Sequence, residues 1–587
     1  MARPILSPRP LQPTIASELE QAGLNPLLAQ LYAARHVKSI HETHSRWGAL
    51  LAPHSLHHIE QGAQLLADAI EEQWRILIVA DYDCDGATAC TIGMRALTEM
   101  GADVDFLVPN RFETGYGLSA EVVRIAHQHP NGKPDLIVTV DNGIASVEGV
   151  ALANELGIQV LVTDHHLPGD QLPDAAAIIN PSHPDCGFPS KHLAGVGVIF
   201  YLMLALRAEL RERGAFDLED QPRLDQLADI LALGTVADVV QLDANNRLLV
   251  AQGLKQIRSG RAHAGIKALF AIAGRDTNNA NAFDLGFAVG PRINAAGRLT
   301  DMSIGIRCLC TDDPFEAAEL AKELDRINQE RRQIESGMHQ SALNSVEQMM
   351  QLSPSASVCV YGPDWHQGVV GLVASRLKEK YWRPTIAFAP GDNGEIKGSG
   401  RSIPDVHMRD VLDIISKKHP SMILKFGGHS MAAGLSIHES SIDAFKIAFE
   451  QAVIQFSGKT HFEPIIEHDG SLAISHIDIE TATLLNQQVW GAGFPPPVFV
   501  DQFTVLHQRI LKDKHLKLRV ERDGLVFDAI WFNHAELVSD SIEMAYRLDV
   551  NHWNGKSSVQ FMVDYAFATE LRDEYTIPPT ISANATP

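Results

Sequence analysis

ILIVADYDCDGATAC, residues 76–90, runs from five apolar residues into three closely spaced aspartates and then into a helical pattern. The Val/Ile-rich run lacks strict alternation, which suits a strand buried on both faces of a parallel sheet. Two runs downstream end in the same way. DLIVTV (Asp135 to Val140) leads into Asp141-Asn142-Gly143, and QVLVT (Gln159 to Thr163) leads into Asp164-His165-His166. Between them lie polar, Gly-containing turns and helical stretches such as ATACTIGMRALTEM, which Gly101 stops just past its last turn. This repetition, from Arg75 to about Phe270, predicts an α/β domain on a parallel sheet. Its span is read as residues 51–311, after an apolar-periodic, helical lead-in over residues 1–50.

Residues 312–352 are charged and almost free of glycine, with Pro314 as a first-turn residue, and predict one long connecting helix. Residues 353–460 return to α/β texture: a strand VCVYG, a helix GVVGLVASRLKEKY and a strand PTIAFA. In residues 461–587, HLKLRV and GLVFDAIWF alternate apolar with polar positions, and Asn554-Gly555 has the form of a hairpin turn. A small antiparallel β-domain, barrel or sandwich, is expected there.

The chain has 587 residues, room for three or four domains, with 45% hydrophobic and 21% charged residues. No run approaches the roughly 20 apolar residues that span a bilayer. The opening MARPILSPRPLQ has no continuous apolar core of a signal peptide. The six cysteines form no CxxC pair and suit reduced, structural thiols, so a cytoplasmic location is expected. The net charge of −23 argues mildly against nucleic acid, but a carboxylate-rich metal site and a local basic groove are both compatible with it.

Loops at the carboxyl ends of parallel strands converge on one crevice. Here they would gather five aspartates and two histidines, with Asp238 of ADILALGTVADVV following a predicted helix nearby. Carboxylates packed this densely need cations to stay ionised, and oxygen ligands with one or two imidazoles suit Mn²⁺ or Mg²⁺ better than zinc. Two such ions can clamp the attacking and leaving oxygens of a phosphoryl displacement. Taken singly, a DxD after a strand is more often a turn, DNG is usually a turn, and adjacent histidines are often incidental. Three such signals at successive strand ends are a different matter.

DYDCDG, DNG, DHH and GTVADVV resemble the four motifs of the DHH phosphoesterase superfamily. GPRINAAGR (Gly290 to Arg298), WHQGVVGLVASRL, GSGRS and GGHSMAAG resemble its RecJ branch, with a DHH domain, a DHHA1 domain and a C-terminal OB-like domain. The resemblance implies that Asp83, Asp85, Asp141, His165 and Asp238 ligate metal, with Asp141 bridging two ions. It implies that Asp81 and His166 stand beside the metals. It assigns Arg111, Arg298, Ser399 and Arg401 to a grip on the 5′-terminal phosphate, and His429 to the substrate phosphate across a cleft. Read without the family, Arg298 is a surface helix-start residue and GGHSMAAG a tight turn packed on small side chains. Three positions depart from the family pattern. Val79 stands where many members of the wider superfamily carry His, as is compatible with the nuclease branch. Cys84 stands where a small residue is usual, and Phe494 of VWGAGFPPPVF stands where Asn is expected ahead of the last domain.

The expected activity is a single-strand-specific 5′-to-3′ DNA exonuclease releasing 5′-mononucleotides, serving repair and recombination. Trp531, Phe532 and Trp553 are candidate base-stacking residues of the OB-like domain. The rivals are an oligoribonuclease or cyclic-dinucleotide phosphodiesterase, against which the added C-terminal domain counts, and a non-catalytic single-strand-binding scaffold, against which the complete ligand set counts. The family further suggests a single-strand-binding protein and a RecQ-type helicase as partners. The absence of a zipper pattern leaves a monomer as the expectation.

Overall fold

The structure, a computed structural model, describes residues 4–110, 114–115, 117–352, 355–553 and 555–569, without the side chains of 349–352 and 553. The chain divides into two compact units: Met1–Ser7 with Arg326–Ile466, and Pro8–Asp325 with Glu467–Pro587.

The larger unit is built on five parallel strands, β1 (Arg75–Ala80), β2 (Asp103–Leu107), β3 (Leu136–Val140), β4 (Gln159–Thr163) and β5 (Ala177–Ile179). Alternate side chains enter opposite cores: Ile76, Ile78 and Ala80 join one cluster, Leu77 and Val79 the other. Both faces are therefore covered, which is why the strands read as unbroken apolar runs. Each buried Ile, Leu or Val contributes on the order of 1.5–3 kcal/mol. The strand order is β2-β1-β3-β4-β5. The chain leaves β1 to build β2 on one side and later places β3 on the other. The loops after β1 and β3 therefore part and open a crevice at the switch point.

Four helices frame that crevice: α1 (Cys84–Glu99), α2 (Gly195–Glu212), α3 (Ala228–Ala237) and α4 (Gly290–Leu299). The helix α5 (Pro314–Leu352) is one continuous element of 39 residues, as its sequence predicts, and the division between the units falls within it.

The first fifty residues do more than lead in. Helices Pro13–Gln21 and Pro26–Ala33 do form, and Leu27, Leu28 and Leu31 are buried in the main core. They are preceded by a strand, Ile5–Pro8, where the reading expected helix. Prolines at 4, 8 and 10 explain the extended backbone, because proline suits neither a helix interior nor the residue before it.

The smaller unit has a mixed sheet of β6 (Val358–Tyr361), β7 (Thr385–Pro390), β8 (Glu395–Arg401), β9 (Lys425–Gly428) and β10 (Ala432–His438), in the order β9-β10-β8-β7-β6. Only β6 and β7 run parallel. Helix α6 (Val370–Tyr381) follows β6.

The C-terminal strands β11 (Phe499–Leu511), β12 (His515–Arg522), β13 (Leu525–Trp531), β14 (Ser541–Trp553) and β15 (Lys556–Ala568) close into a barrel in the order β11-β12-β13-β15-β14. Every pair is antiparallel except β13 with β15. This is the five-stranded closure of an OB-fold, a barrel and not a sandwich. Asn554 of the expected hairpin turn lies outside the described residues; Trp553 and Lys556 on either side are paired. No helix among the described residues is long and apolar enough to cross a membrane.

Candidate metal centre and active site

Four loops of the larger unit bring their carboxylates and imidazoles together. Asp81 and Asp83 leave the end of β1, and Asp85 lies in the first turn of α1. Asp141 follows β3, His165 and His166 follow β4, and Asp238 caps the C-terminus of α3. His165 Nε2 stands 3.1 Å from Asp141 Oδ1, 3.5 Å from Asp238 Oδ2 and 3.9 Å from Asp85 Oδ2. Three ligand sets result, each with its atoms within 4.8 Å: Asp81 with Asp83 and Asp141; Asp141 with His165 and His166; Asp85 with His165 and Asp238. Asp141 and His165 each belong to two sets. The seven residues read from the sequence as the metal-centre group thus share one crevice.

The donor set fits Mn²⁺ or Mg²⁺. Ligands about 2.1 Å from an ion and at right angles stand about 3 Å apart, the spacing of His165 and Asp141. His165 Nε2 is buried and makes no hydrogen bond, although three carboxylates surround it. Burial, with His166 alongside, pushes its pKa down to about 4, so the ring is neutral and offers a lone pair. Burial likewise raises Asp85 to about 7, with Asp83 adding repulsion, and holds Asp141 and Asp238 well above the usual carboxylate range. Carboxylates in such surroundings are discharged by protons or by a cation.

Asp164, counted in the crevice from its sequence position, has a different task. It accepts from the amides of Ile144 (2.9 Å), His165 (2.7 Å) and His166 (3.1 Å), and its Oδ1 lies 2.7 Å from His166 Nδ1. Burial alone would raise its pKa, but the bond to His166 and the nearby imidazoles outweigh that and lower it. For His166 the balance has the opposite sign: burial lowers its pKa, while Asp164, Asp81 and Asp83 raise it to about 9. Asp164 is therefore a positioning residue that fixes the His-His turn. Asn180 and Ser182 hold the same turn by donating to the carbonyls of His166 and His165.

Three further supports bind backbone groups around the site. Asp85 accepts from the amides of Gly195 (2.6 Å) and Val196 (2.9 Å) at the start of α2, where the helix dipole favours an anion. A Cβ on Gly195 would sit 2.6 Å from Asp141 Cβ, so only glycine lets α2 come this close. Asn142 donates to the carbonyls of Val79 and Val140 and ties the two strand ends together. Asn294 of α4 accepts from the Cys84 amide at 2.8 Å. The small-residue run LAGVGV was the one available sequence signal for α2. Cys84 itself is buried, and burial with three aspartate charges raises its thiol pKa well above the usual value, which makes it an inert packing group.

Arg298 is half-buried near the end of α4, not at a helix start on the surface. Arg111 lies outside the described residues. In the smaller unit, Arg401 ends β8 and donates to Ser399 Oγ (3.1 Å) and the Gly400 carbonyl (2.8 Å). Burial lowers its pKa, and no carboxylate among the described residues pairs with it. A Cβ on Gly371 of α6 would stand 2.9 Å from Ser399 Oγ and 3.0 Å from Arg401 Nη2, which accounts for a glycine in WHQGVVG. GGHSMAAG forms a β-hairpin between β9 and β10, with Gly428 at φ 138 and exposed His429 at its tip. The hairpin is bound to the loop after Arg401 by Ser402 N–H to the Met431 carbonyl and Met408 N–H to that of Ser430. On the barrel, Trp531 is stacked on His534 at 3.7 Å and Phe532 is exposed. The side chain of Trp553 is not described.

The profile of the DHH family, N-terminal domain, matches residues 75–235, that of the DHHA1 domain residues 355–455, and that of the RecJ OB domain residues 468–565. Fold and site together define a metal-dependent phosphoesterase of the DHH class. The chain is 47% identical to the single-stranded-DNA-specific exonuclease RecJ of Haemophilus influenzae, over 92% of its own length and 96% of the relative's. It is 48% identical to the Escherichia coli protein of the same name, with the same coverage. The crystal structure of RecJ in complex with Mn²⁺ from Thermus thermophilus superposes with a TM-score of 0.79 at 29% identity, over 97% of this chain and 80% of that one. Its Mg²⁺ complex gives 0.74 at 27% identity, over 97% and 79%. The chain belongs to the RecJ family.

Proposed function

We propose that this chain hydrolyses single-stranded DNA from the 5′ end and releases 5′-mononucleotides. The observation that carries the reading is a complete ligand set at the switch point, in a chain that matches RecJ exonucleases along nearly its whole length. Ions held there supply positive charge against the phosphate and lower the pKa of water. The residues do the rest. Asp83, Asp85, Asp141, His165 and Asp238 would hold the ions, Asp141 and His165 each standing in two of the ligand sets. Asp164 engages Nδ1 of His166, so that ring works through Nε2 and donates to a phosphate oxygen. Asp81 completes the set around Asp141.

The resemblance assigns Arg111, Arg298, Ser399 and Arg401 to the terminal phosphate, and His429 to the substrate phosphate. A guanidinium in a buried setting without a carboxylate partner is suited to an incoming anion. The OB barrel is proposed to hold the strand beyond the cleavage point. A single-strand-binding protein and a RecQ-type helicase are the partners the family suggests, with a monomeric, cytoplasmic enzyme.

The test uses single strands labelled at either end, Mn²⁺ and Asp141→Ala as control. Immediate release of 5′-labelled mononucleotide by the wild type alone is expected. Arg401→Ala is expected to slow cleavage by at least about tenfold and to weaken preference for 5′-phosphorylated ends. Turnover confined to RNA of two to five nucleotides would move the chain to the oligoribonuclease reading.

A further inference from the structure

The larger unit contains a second cavity, of about 1090 Å³, that none of the metal-centre residues lines. Arg95 lines it, ten residues along α1 from Asp85, a separation of about 15 Å at 1.5 Å per residue. The charge of the cavity opposes that of the chain. Overall 72 acidic residues outnumber 49 basic ones, whereas five Lys and Arg side chains and two Asp line this cavity. Both aspartates are already engaged: Asp225 by Arg223 through two bonds of 2.8 Å, and Asp312 by Arg95 at 2.8 Å.

Three cations are left over. The side chains of Lys255 and Lys267 are exposed and make no ion pair or hydrogen bond among the described residues, and the Arg261 guanidinium is engaged only by Ser259 Oγ at 2.9 Å. The N-terminus of the helix Ala264–Ile272 opens on the same space. Its capping residue, His263, makes no side-chain cap, because Asp229 holds its ring at 2.8 Å. Trp47, seated on Phe200 at 5.9 Å, contributes an aromatic wall.

We propose that this cavity is a phosphate-binding site for a nucleotide-sized polyanion, held by Lys255, Arg261 and Lys267 and distinct from the metal centre. The volume is that of a site for a small organic ligand, well beyond the needs of a lone phosphate. The chemistry is the same whether the phosphates belong to a free nucleotide or to a stretch of strand, and two probes separate these sources.

The full chain is titrated in EDTA, where hydrolysis cannot occur, with a fluorescent deoxyadenosine diphosphate and with a labelled twelve-nucleotide oligothymidylate. The double variant Lys255→Ala/Lys267→Ala is expected to weaken at least one probe by about tenfold or more, since charge-assisted contacts of this kind are worth that much. Asp141→Ala leaves that binding unchanged, and Lys255→Arg/Lys267→Arg retains it. Loss confined to the diphosphate assigns a free nucleotide, and loss confined to the oligonucleotide assigns the strand. Both lysines are exposed, so unchanged melting temperatures are expected and separate binding from folding. The proposal fails if neither probe binds the wild type, if the double alanine variant binds both as tightly, or if Asp141→Ala abolishes the binding.

Discussion

Asp141 adopts φ 61, a left-handed conformation that aspartate tolerates better than most residues but that still costs energy. Its amide bond to the Thr163 carbonyl, the Asn142 ties and the open side of Gly195 hold it there. The same packing takes the carboxylates out of water, and this has a consequence for the metal-free protein. Burial lifts Asp85 to about 7 and holds Asp141 and Asp238 well above the ordinary carboxylate range. The folded metal-free chain therefore keeps protons that the unfolded chain has released above roughly pH 4. Stability from these groups is fully present below that pH and is lost as pH rises through the folded-state values. In EDTA the melting temperature is expected to fall between pH 5 and pH 8, and saturating Mn²⁺ to remove the fall while releasing protons. Calorimetry in the two conditions checks this; a metal-free melting temperature that climbs over the same range would refute it. The candidate ligands stood out in the sequence because they are Asp and His after strands or, for Asp238, after a helix. The groups that hold them did not, since Gly195, Val196 and Ile144 act through amides that any residue carries.

At the scale of elements, the parallel strands were readable from their apolar runs, and the helices between them from their stops, such as Gly101 at φ 89. What could not be read was how closely the helices approach. A Cβ on Gly234 of α3 would meet Thr88 Oγ1 of α1 at 2.1 Å, and one on Gly297 of α4 would meet the Tyr82 carbonyl at 1.7 Å. These two contacts set the positions of Asp238 and of the Asp81–Asp85 turn, so GTVAD and INAAGR are spacing motifs as much as chemical ones. Gly297→Ala forces α4 off that turn and strains the Asn294 bond to Cys84. A loss of about 1–3 kcal/mol in stability is expected, the usual cost of overpacking. Weaker Mn²⁺ activation should accompany it, read from metal-titrated nuclease rates beside a denaturant melt. Unchanged metal dependence with the same destabilisation would mean that α4 only packs. The segment leading into α4, Asp284–Val289, is a π-helix that no periodicity foretells, because the wider turn is imposed by tertiary fit.

The larger unit joins what the sequence separates by residues 326–466: the sheet domain and the barrel. Texture marks where a domain changes character, not what it packs on, so the barrel read as a separate appendage. The junction shows how it is fastened. Phe494, standing where the family pattern has Asn, is buried beneath Arg247 (4.2 Å) and stacked on Trp490 (5.3 Å), and both rings meet Tyr32 edge-on. Arg35, following the helix that carries Tyr32, is paired with Asp469 at 2.8 and 2.9 Å, both side chains almost fully buried. Asp469 also receives Arg9 at 2.9 Å and the Val498 amide at 3.0 Å, at the threshold of β11. Removing one member of a buried pair strands the other charge, at a cost of about 3–5 kcal/mol. Scanning calorimetry of Asp469→Ala should therefore lower the transition of the larger unit as a single event, sheet and barrel together, and leave that of the smaller unit in place. A barrel that melts on its own, unmoved by the substitution, would show that the junction tethers two independent domains. In that case the nuclease half would keep its fold and its metals without the last 120 or so residues, and the barrel's share in binding could be measured by cutting it away.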